Sequence, residues 1–348
     1  MKYKLKDVCN FYSGTGFPTK YQGEIEGDYP FYKVGDITNN VIAGNIYLEM
    51  CNNYVSIDTV KKIKGCVLPP NTVVFAKIGE ALKLNRRAIT SCACLIDNNA
   101  MGIAPKEDTL RIQYFYFFMK NLKMQVLAES TTVPSVRKTI LEDYEVEIPS
   151  LNIQEEIESR LTIIQDIIEK RKKELSLLDN LIKARFVEMF GNPRLNEKGF
   201  KCKKGFELFK ISNGKAVSNE KRFENGIPAY GGNGISWYTN TVLFEEDTIV
   251  IGRVGFQSGN VHFVKGPMWI TDNAMYISEL YDDSLSLVFL CDMMEQIDFT
   301  RDQDAGDLKK VTQKPFMEME YILPEKSLQK EYIDFVHQVD KSKFMKSF

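Results

Sequence analysis

Few residues in this chain are suited to covalent or proton-transfer chemistry. Its two histidines, His262 in an apolar stretch that reads as a strand and His337 in a helical one, give no support for a histidine acid/base pair or a metal cluster. The seven cysteines, Cys9, Cys51, Cys66, Cys92, Cys94, Cys202 and Cys291, are odd in number and contain no C-x-x-C, so they read as reduced thiols. What the chain offers instead is cations and amides beside glycines. Lys77 stands two residues before Gly79, and Arg253 two residues before Gly255. Glycine at such a position lets backbone approach a phosphate closely; the plainer reading is a solvated strand end. Lys83, Arg86 and Arg87 form the densest cationic group of the first half, and Gln257 belongs to the corresponding loop of the second. The loop Tyr230-Gly231-Gly232-Asn233-Gly234-Ile235-Ser236-Trp237 sets three glycines around an asparagine between aromatics. Without a lysine and a strand-to-helix context it is not a P-loop, and a structural hairpin is its alternative. Lys215, Lys221 and Arg222 lie nearby as phosphate clamps, whereas Lys198, Lys201, Lys203 and Lys204 read as a solvated linker.

These residues need elements to hold them, and the elements come twice. Asp247-Thr248-Ile249-Val250-Ile251-Gly252-Arg253-Val254-Gly255 matches Asn71-Thr72-Val73-Val74-Phe75-Ala76-Lys77-Ile78-Gly79 position by position. Downstream, Asp272-Asn273-Ala274-Met275 answers Asn98-Asn99-Ala100-Met101, and Ile322-Leu323-Pro324 with Gln329 answers Glu147-Ile148-Pro149 with Gln154, all at offsets of 174 to 176. Three matches in order at a nearly constant offset imply two copies of one domain plus its following helix. The Asn-Asn-Ala-Met and Asp-Asn-Ala-Met segments are themselves turn chemistry. Each copy reads as mixed: short β-type runs punctuated by turns, as in Tyr3–Phe11 and Tyr29–Ile37, then a helix, aromatic-rich from Asp108 to Leu127 in the first copy, whose rings at helical spacing are core.

Between the copies, Ile153 to Phe190 reads as one long helix closed by Gly191-Asn192-Pro193. Ile157, Leu161, Ile164, Ile168, Arg171, Leu175, Leu178, Ile182, Arg185 and Met189 follow alternating steps of four and three, a heptad seam. So narrow a stripe suits a helical partner rather than a broad core. Leu328, Tyr332, Phe335 and Val339 continue the pattern in a second, shorter helix, which is expected to pack antiparallel on the first. It leaves much of the seam for another occupant. The expected class is α+β: two similar mixed α/β domains, residues 1–150 and 194–326, separated by a long coiled-coil-like helix, 151–193, with a short distal helix, 327–348, pairing with it.

A formal net charge of −2 offers no global attraction to nucleic acid, so any DNA binding has to use local basic surface, with or without an additional subunit. No apolar run follows Lys2, Lys4 and Lys6, and none approaches the length of a membrane span, so a cytoplasmic location is expected.

With the duplication, the segments Glu147-Ile148-Pro149, Gln154-Glu155, Arg185-Phe186-Val187-Glu188-Met189-Phe190-Gly191-Asn192-Pro193 and Phe335-Val336-His337-Gln338-Val339-Asp340-Lys341-Ser342 make the chain resemble the specificity subunit of type I restriction-modification systems. Ile227–Ile235 and Ile251–Gly255 are similar as well. The resemblance implies a non-catalytic protein with two target-recognition domains that read a bipartite site on double-stranded DNA. It implies methyltransferase subunits docked on the helices, a restriction/translocase subunit, and S-adenosylmethionine held by the methyltransferase rather than by this chain. On that reading the DNA-facing residues are Lys77, Gly79, Lys83, Arg86, Arg87, Lys215, Arg222, Tyr230, Gly232, Asn233, Trp237, Arg253, Gly255 and Gln257, since base edges call for Arg, Lys, Asn and Gln. The partner-docking residues are the apolar seam positions of both helices. The chain departs from the family in its short distal helix, which leaves self-association, or a decoy scaffold that binds methyltransferase subunits without reading DNA, as alternatives. A self-contained methyltransferase is disfavoured: no Asn-Pro-Pro-aromatic segment is present.

Overall fold

A computed structural model describes residues 1–128, 133–281, 283–304 and 309–345. The chain divides into two compact units, Met1–Glu169 and Lys170–Phe348.

The first unit carries β1 (Lys2–Lys4), β2 (Cys9–Ser13), β3 (Tyr29–Tyr32), α1 (Val34–Ile42), β4 (Tyr47–Leu48), β5 (Tyr54–Val55), β6 (Val73–Ala76), β7 (Ala88–Thr90), β8 (Leu95–Ile96), β9 (Ala100–Pro105), α2 (Ile112–Asn121), β10 (Glu145–Glu147) and the first half of α3 (Leu151–Phe190). The main sheet runs β2-β9-β6-β7-β4, a second runs β5-β3-β8, and β1 pairs with β10. All four side chains of β6 are buried, as expected of a central strand covered on both faces. Phe115, Tyr116 and Met119 of α2 enter the core and Tyr114, Phe117 and Phe118 pack against it, so the aromatic helix is core, ending at Asn121 with a separate turn at Met124–Leu127. The expected single run from Tyr3 to Phe11 is interrupted by a helical turn at Leu5–Val8, which the Asp7 carboxylate caps by accepting from the Lys4 N–H at 3.2 Å.

The second unit holds the rest of α3, then β11 (Cys202–Lys204), β12 (Phe209–Asn213), β13 (Ile227–Gly231), β14 (Gly234–Thr239), β15 (Thr248–Gly252), β16 (Val261–Val264), β17 (Trp269–Ile270), β18 (Ala274–Leu280), α4 (Leu287–Ile297), β19 (Glu320–Ile322) and α5 (Lys326–Met345). Its sheets, β12-β18-β15-β16, β14-β13-β17 and β11-β19, repeat the first unit's pairings: β12-β18-β15 answers β2-β9-β6, and the parallel pair β13-β17 answers β3-β8.

The duplication extends to buried polar contacts. Gln154 accepts the Arg111 N–H at 2.9 Å and donates to the carbonyls of Thr109 and Pro149, both at 2.9 Å. Gln329 accepts the Ser286 N–H at 3.1 Å and donates to Ser284 at 2.7 Å and Pro324 at 2.9 Å. Each buried amide thus ties the start of a long helix to its own domain at little desolvation cost.

In the second unit α5 lies antiparallel to α3. Glu331 meets Arg185 at 2.9 Å, while Lys343 meets Asp179 at 2.9 Å and its carbonyl accepts from Arg171 at 2.6 Å. Phe186, Phe190, Phe289 and Tyr332 form one ring cluster beneath this pair. This corrects part of the docking assignment. Tyr332 and Val339 are buried, and Ile182, Met189 and Leu328 pack against the unit's own core, because a mixed domain rather than only a helix backs this part of the seam. Phe335 is half-buried, with the Arg185 guanidinium 5.7 Å from its ring centre. Leu175 and Leu178 are half-buried, as are Ile157 and Leu161 in the first unit, where Ile164 and Ile168 remain exposed. The last three residues of the expected distal helix, 346–348, lie outside the described residues.

Candidate nucleic-acid interface

The two cation-glycine pairs occupy identical backbone settings. Lys77 directly follows β6 and donates its N–H to the Asn99 carbonyl at 2.9 Å, while its carbonyl accepts from Val136 at 2.9 Å; Arg253 directly follows β15 and does the same with Asn273 at 2.9 Å and Val311 at 3.0 Å. Two residues on, Gly79 donates to the Pro134 carbonyl and Gly255 to that of Lys309, both at 2.8 Å. Gly79 has φ +77° and Gly255 φ +95°, a region that favours glycine. A Cβ at either position would meet nothing within 4 Å. Each turn therefore presents a cation beside open backbone, a geometry suited to a phosphate.

The cationic group after Gly79 separates by burial. Lys83 is exposed and paired with Glu80 at 2.6 Å, and Arg86 is half-buried. Arg87 is 2% exposed. Its guanidinium lies 4.8 Å from the Phe75 ring centre and donates to the carbonyls of Met119 at 3.3 Å and Arg86 at 2.8 Å and to Asn85 Oδ1 at 2.7 Å. Arg87 is a core strut, not a DNA-facing residue: the strand that starts at Ala88 turns it inward. Burial pulls its pKa down to about 10.

In the second unit the glycine loop is a hairpin. Gly231 pairs with Gly234 across Gly232 and Asn233, and Gly234 takes φ +97°. The tip forms one wall of a cleft of about 570 Å³ whose other walls are Arg222 with Trp237, Val254 with Phe256 and Gln257, and Thr271 to Asn273. The Arg222 guanidinium lies 5.1 Å from the Trp237 ring centre. The cleft thus gathers Arg222, Gly232, Asn233, Trp237 and Gln257 from separate stretches of sequence. Lys215 is exposed but is not part of the lining, and Tyr230 packs against a buried cluster around Val250.

Sequence reasoning missed Phe256, which is 80% exposed at the cleft with Lys309 Nζ 5.3 Å from its ring centre. It also missed Thr271 and Asn273 as lining residues; the offset of 174 relating Ala274 to Ala100 was the available signal. His262, in β16, is half-buried with Nε2 lacking a hydrogen-bond partner, and His337 is exposed. Among the described residues no His, Cys, Asp and Glu group has metal-ligand geometry, and no helix is long and apolar enough to cross a membrane. The seven cysteines are free.

Residues 1–177 and 197–346 each match the family model of the type I restriction modification DNA specificity domain. The chain is 24% identical over 244 residues to the type I restriction enzyme MjaIX specificity subunit of Methanocaldococcus jannaschii, a match covering 64% of this chain and 54% of that protein. It is 24% identical over 305 residues to the EcoprrI specificity subunit of Escherichia coli, covering 79% and 71%. The fold is shared with the crystal structure of a type I restriction-modification S subunit from M. genitalium, at TM-score 0.57 and 16% identity, covering 99% of this chain and 90% of that one. With nearly its whole length accounted for by two copies of that domain, the chain belongs to the type I restriction-modification DNA specificity family.

Proposed function

We propose that this chain is the non-catalytic, sequence-reading subunit of a type I restriction-modification complex in the cytoplasm, each unit reading one half of a bipartite DNA site. Its helices dock methyltransferase subunits, which carry S-adenosylmethionine, and a restriction/translocase subunit joins the assembly. The observation that carries this reading is the repeated strand end, Lys77 with Gly79 and Arg253 with Gly255, in identical hydrogen-bonded settings beside unlike loops. A common phosphate anchor with different neighbours suits two different half-sites, hence an asymmetric sequence. The exposed Ile163, Ile164, Ile167 and Ile168 of α3 form an apolar face suited to a docked subunit or to a second copy of this chain.

The test is co-expression with the methyltransferase subunit in a host free of adenine methylation, with methylated positions mapped by single-molecule sequencing. A split motif with a fixed gap is expected. Lys77→Ala and Arg253→Ala should each weaken binding roughly three- to tenfold through one half-site. Binding unchanged in both variants would take these two strand ends off the DNA surface. The alternative reading is a scaffold that holds methyltransferase subunits without reading DNA. A stable complex with no methylation and no salt-sensitive DNA binding would establish it.

A further inference from the structure

The two units differ at one matched position in a way that points to a ligand. Asp97 and Thr271 are equivalent: their N–H groups donate to the carbonyls of Tyr32 at 3.0 Å and Tyr230 at 2.9 Å, and their carbonyls accept from Ala100 and Ala274, both at 3.0 Å. In the first unit α1 follows β3 directly, and its Val34 N–H donates to Asp97 Oδ2 at 3.1 Å. The chain fills that position with its own helix. In the second unit β13 turns into the hairpin instead. Thr271 is 5% exposed, lines the cleft, and its Oγ1 has no hydrogen-bond partner. A Cβ on Gly231 would stand 2.6 Å from Ser236 Oγ and 3.6 Å from Thr271 Oγ1, so glycine keeps the space beside that hydroxyl open. Leaving a buried hydroxyl unpaired is costly, and a ligand group that hydrogen-bonds it recovers that cost.

The lining says what kind of ligand. It carries one cation, Arg222, and one anion, Asp272, so it is not a phosphate trap. Asn233, Gln257 and Asn273 bring amide groups that both donate and accept, the requirement for reading a planar heterocycle's edge. Trp237, backed by the Arg222 guanidinium, supplies a flat wall for stacking. Phe256 stands exposed at the lip, where an apolar ring can enter a base step and hold it open. We propose that this cleft receives a single nucleobase unstacked from the DNA, with Phe256 as the wedge that takes its place. The proposal rests on the DNA-reading function above. It makes the second half-site sensitive to how easily one step unstacks, whereas the first unit, its position filled by α1, reads only intact duplex.

The experiment uses the full chain in complex with its methyltransferase subunit, on duplexes of the mapped motif. Probes replace one base at a time: 2-aminopurine for purines and pyrrolocytosine for cytosines, with permanganate reactivity for thymines. Besides the adenines that the methyltransferase turns out for reaction, one further position in one half-site should respond several-fold. Thr271→Val and Trp237→Ala should suppress that response several-fold relative to the signal at the methylated adenines, both read at protein concentrations that saturate the duplex so that a folded, bound complex is compared in each case. Trp237→Ala should also weaken binding to the motif by about tenfold or more, and a mismatch opposite the responding base, which makes that base easier to unstack, should bind the parent more tightly than intact duplex. Site-specific methylation with no additional responding position, or with one that responds equally in both variants, overturns the proposal and leaves the reading of DNA intact. A complex that gives no motif at all ends both.

Discussion

A buried guanidinium without a carboxylate partner is expensive, and Arg87 shows how the chain meets the cost. Its donors reach two carbonyls and the Asn85 amide oxygen, and its flat face covers Phe75. Asn85, in the left-handed region at φ +51°, also accepts the Met124 N–H at 3.3 Å and donates to the Lys120 carbonyl at 2.9 Å, so the pair pins the turn before β7 to the end of α2. Arg87→Ala leaves those acceptors unpaired in the core and should destabilise the first unit by about 2–4 kcal/mol. Urea denaturation should show a lower midpoint, while the methylation motif of the complex assembled at low temperature stays the same. A changed motif at unchanged stability would return Arg87 to the DNA surface. Charge density along the sequence marked Lys83, Arg86 and Arg87 alike, since one-dimensional spacing carries no information about which side chain the following strand turns inward. The equivalence of Lys77 and Arg253 was legible for the opposite reason, because the same residue pattern recurs at a constant offset.

At the level of elements, α5 is held to its unit partly by a titratable contact. Asp292 of α4 accepts the Tyr332 hydroxyl of α5 at 2.9 Å. Burial drives its pKa up to about 7 despite that hydrogen bond, with Glu295 and Asp340 adding to the rise and Lys343 opposing it. Glu295 is raised as well, also through burial. A carboxyl whose folded pKa is raised stabilises the fold fully below its unfolded pKa, near 4, and loses that contribution as pH rises through the folded value. Stability of the second unit should therefore fall between about pH 4 and pH 7 by on the order of a few kcal/mol. Asp292→Asn retains an acceptor for Tyr332 and has no charge to lose, so its denaturation midpoint should exceed the parent's at pH 8, with a shallower slope that Glu295 still supplies. Parallel pH profiles for the two proteins would show that Asp292 is already ionised in the fold. Of the two helices that carry this contact, α5 was legible from heptad spacing, but the cleft was not. Its walls come from four stretches between Val217 and Asn273; Arg222, Gln257 and the glycine hairpin each stood out in the sequence, but nothing in it joined them into one cleft. Phe256 is exposed and Thr271 unpartnered through tertiary placement, which no local pattern encodes.

For the whole molecule, the covalent link between the two copies is a single helix of 40 residues, and the boundary between the compact units falls inside it, at Glu169 and Lys170. At 1.5 Å per residue it extends about 60 Å, with no proline or glycine to bend it. If the gap between half-sites is set by this rod, lengthening the rod must lengthen the gap. Seven residues inserted between Glu169 and Lys170 add about 10.5 Å and two turns, keeping the heptad seam in phase. They should widen the mapped gap by at most about three base pairs, at 3.4 Å each, without altering either half of the motif. Two inserted residues rotate everything beyond them by about 200° and throw the seam out of register, so methylation should be lost although the complex still assembles. An unchanged gap after the seven-residue insertion would mean that docked subunits, rather than this helix, set the distance between the two half-sites.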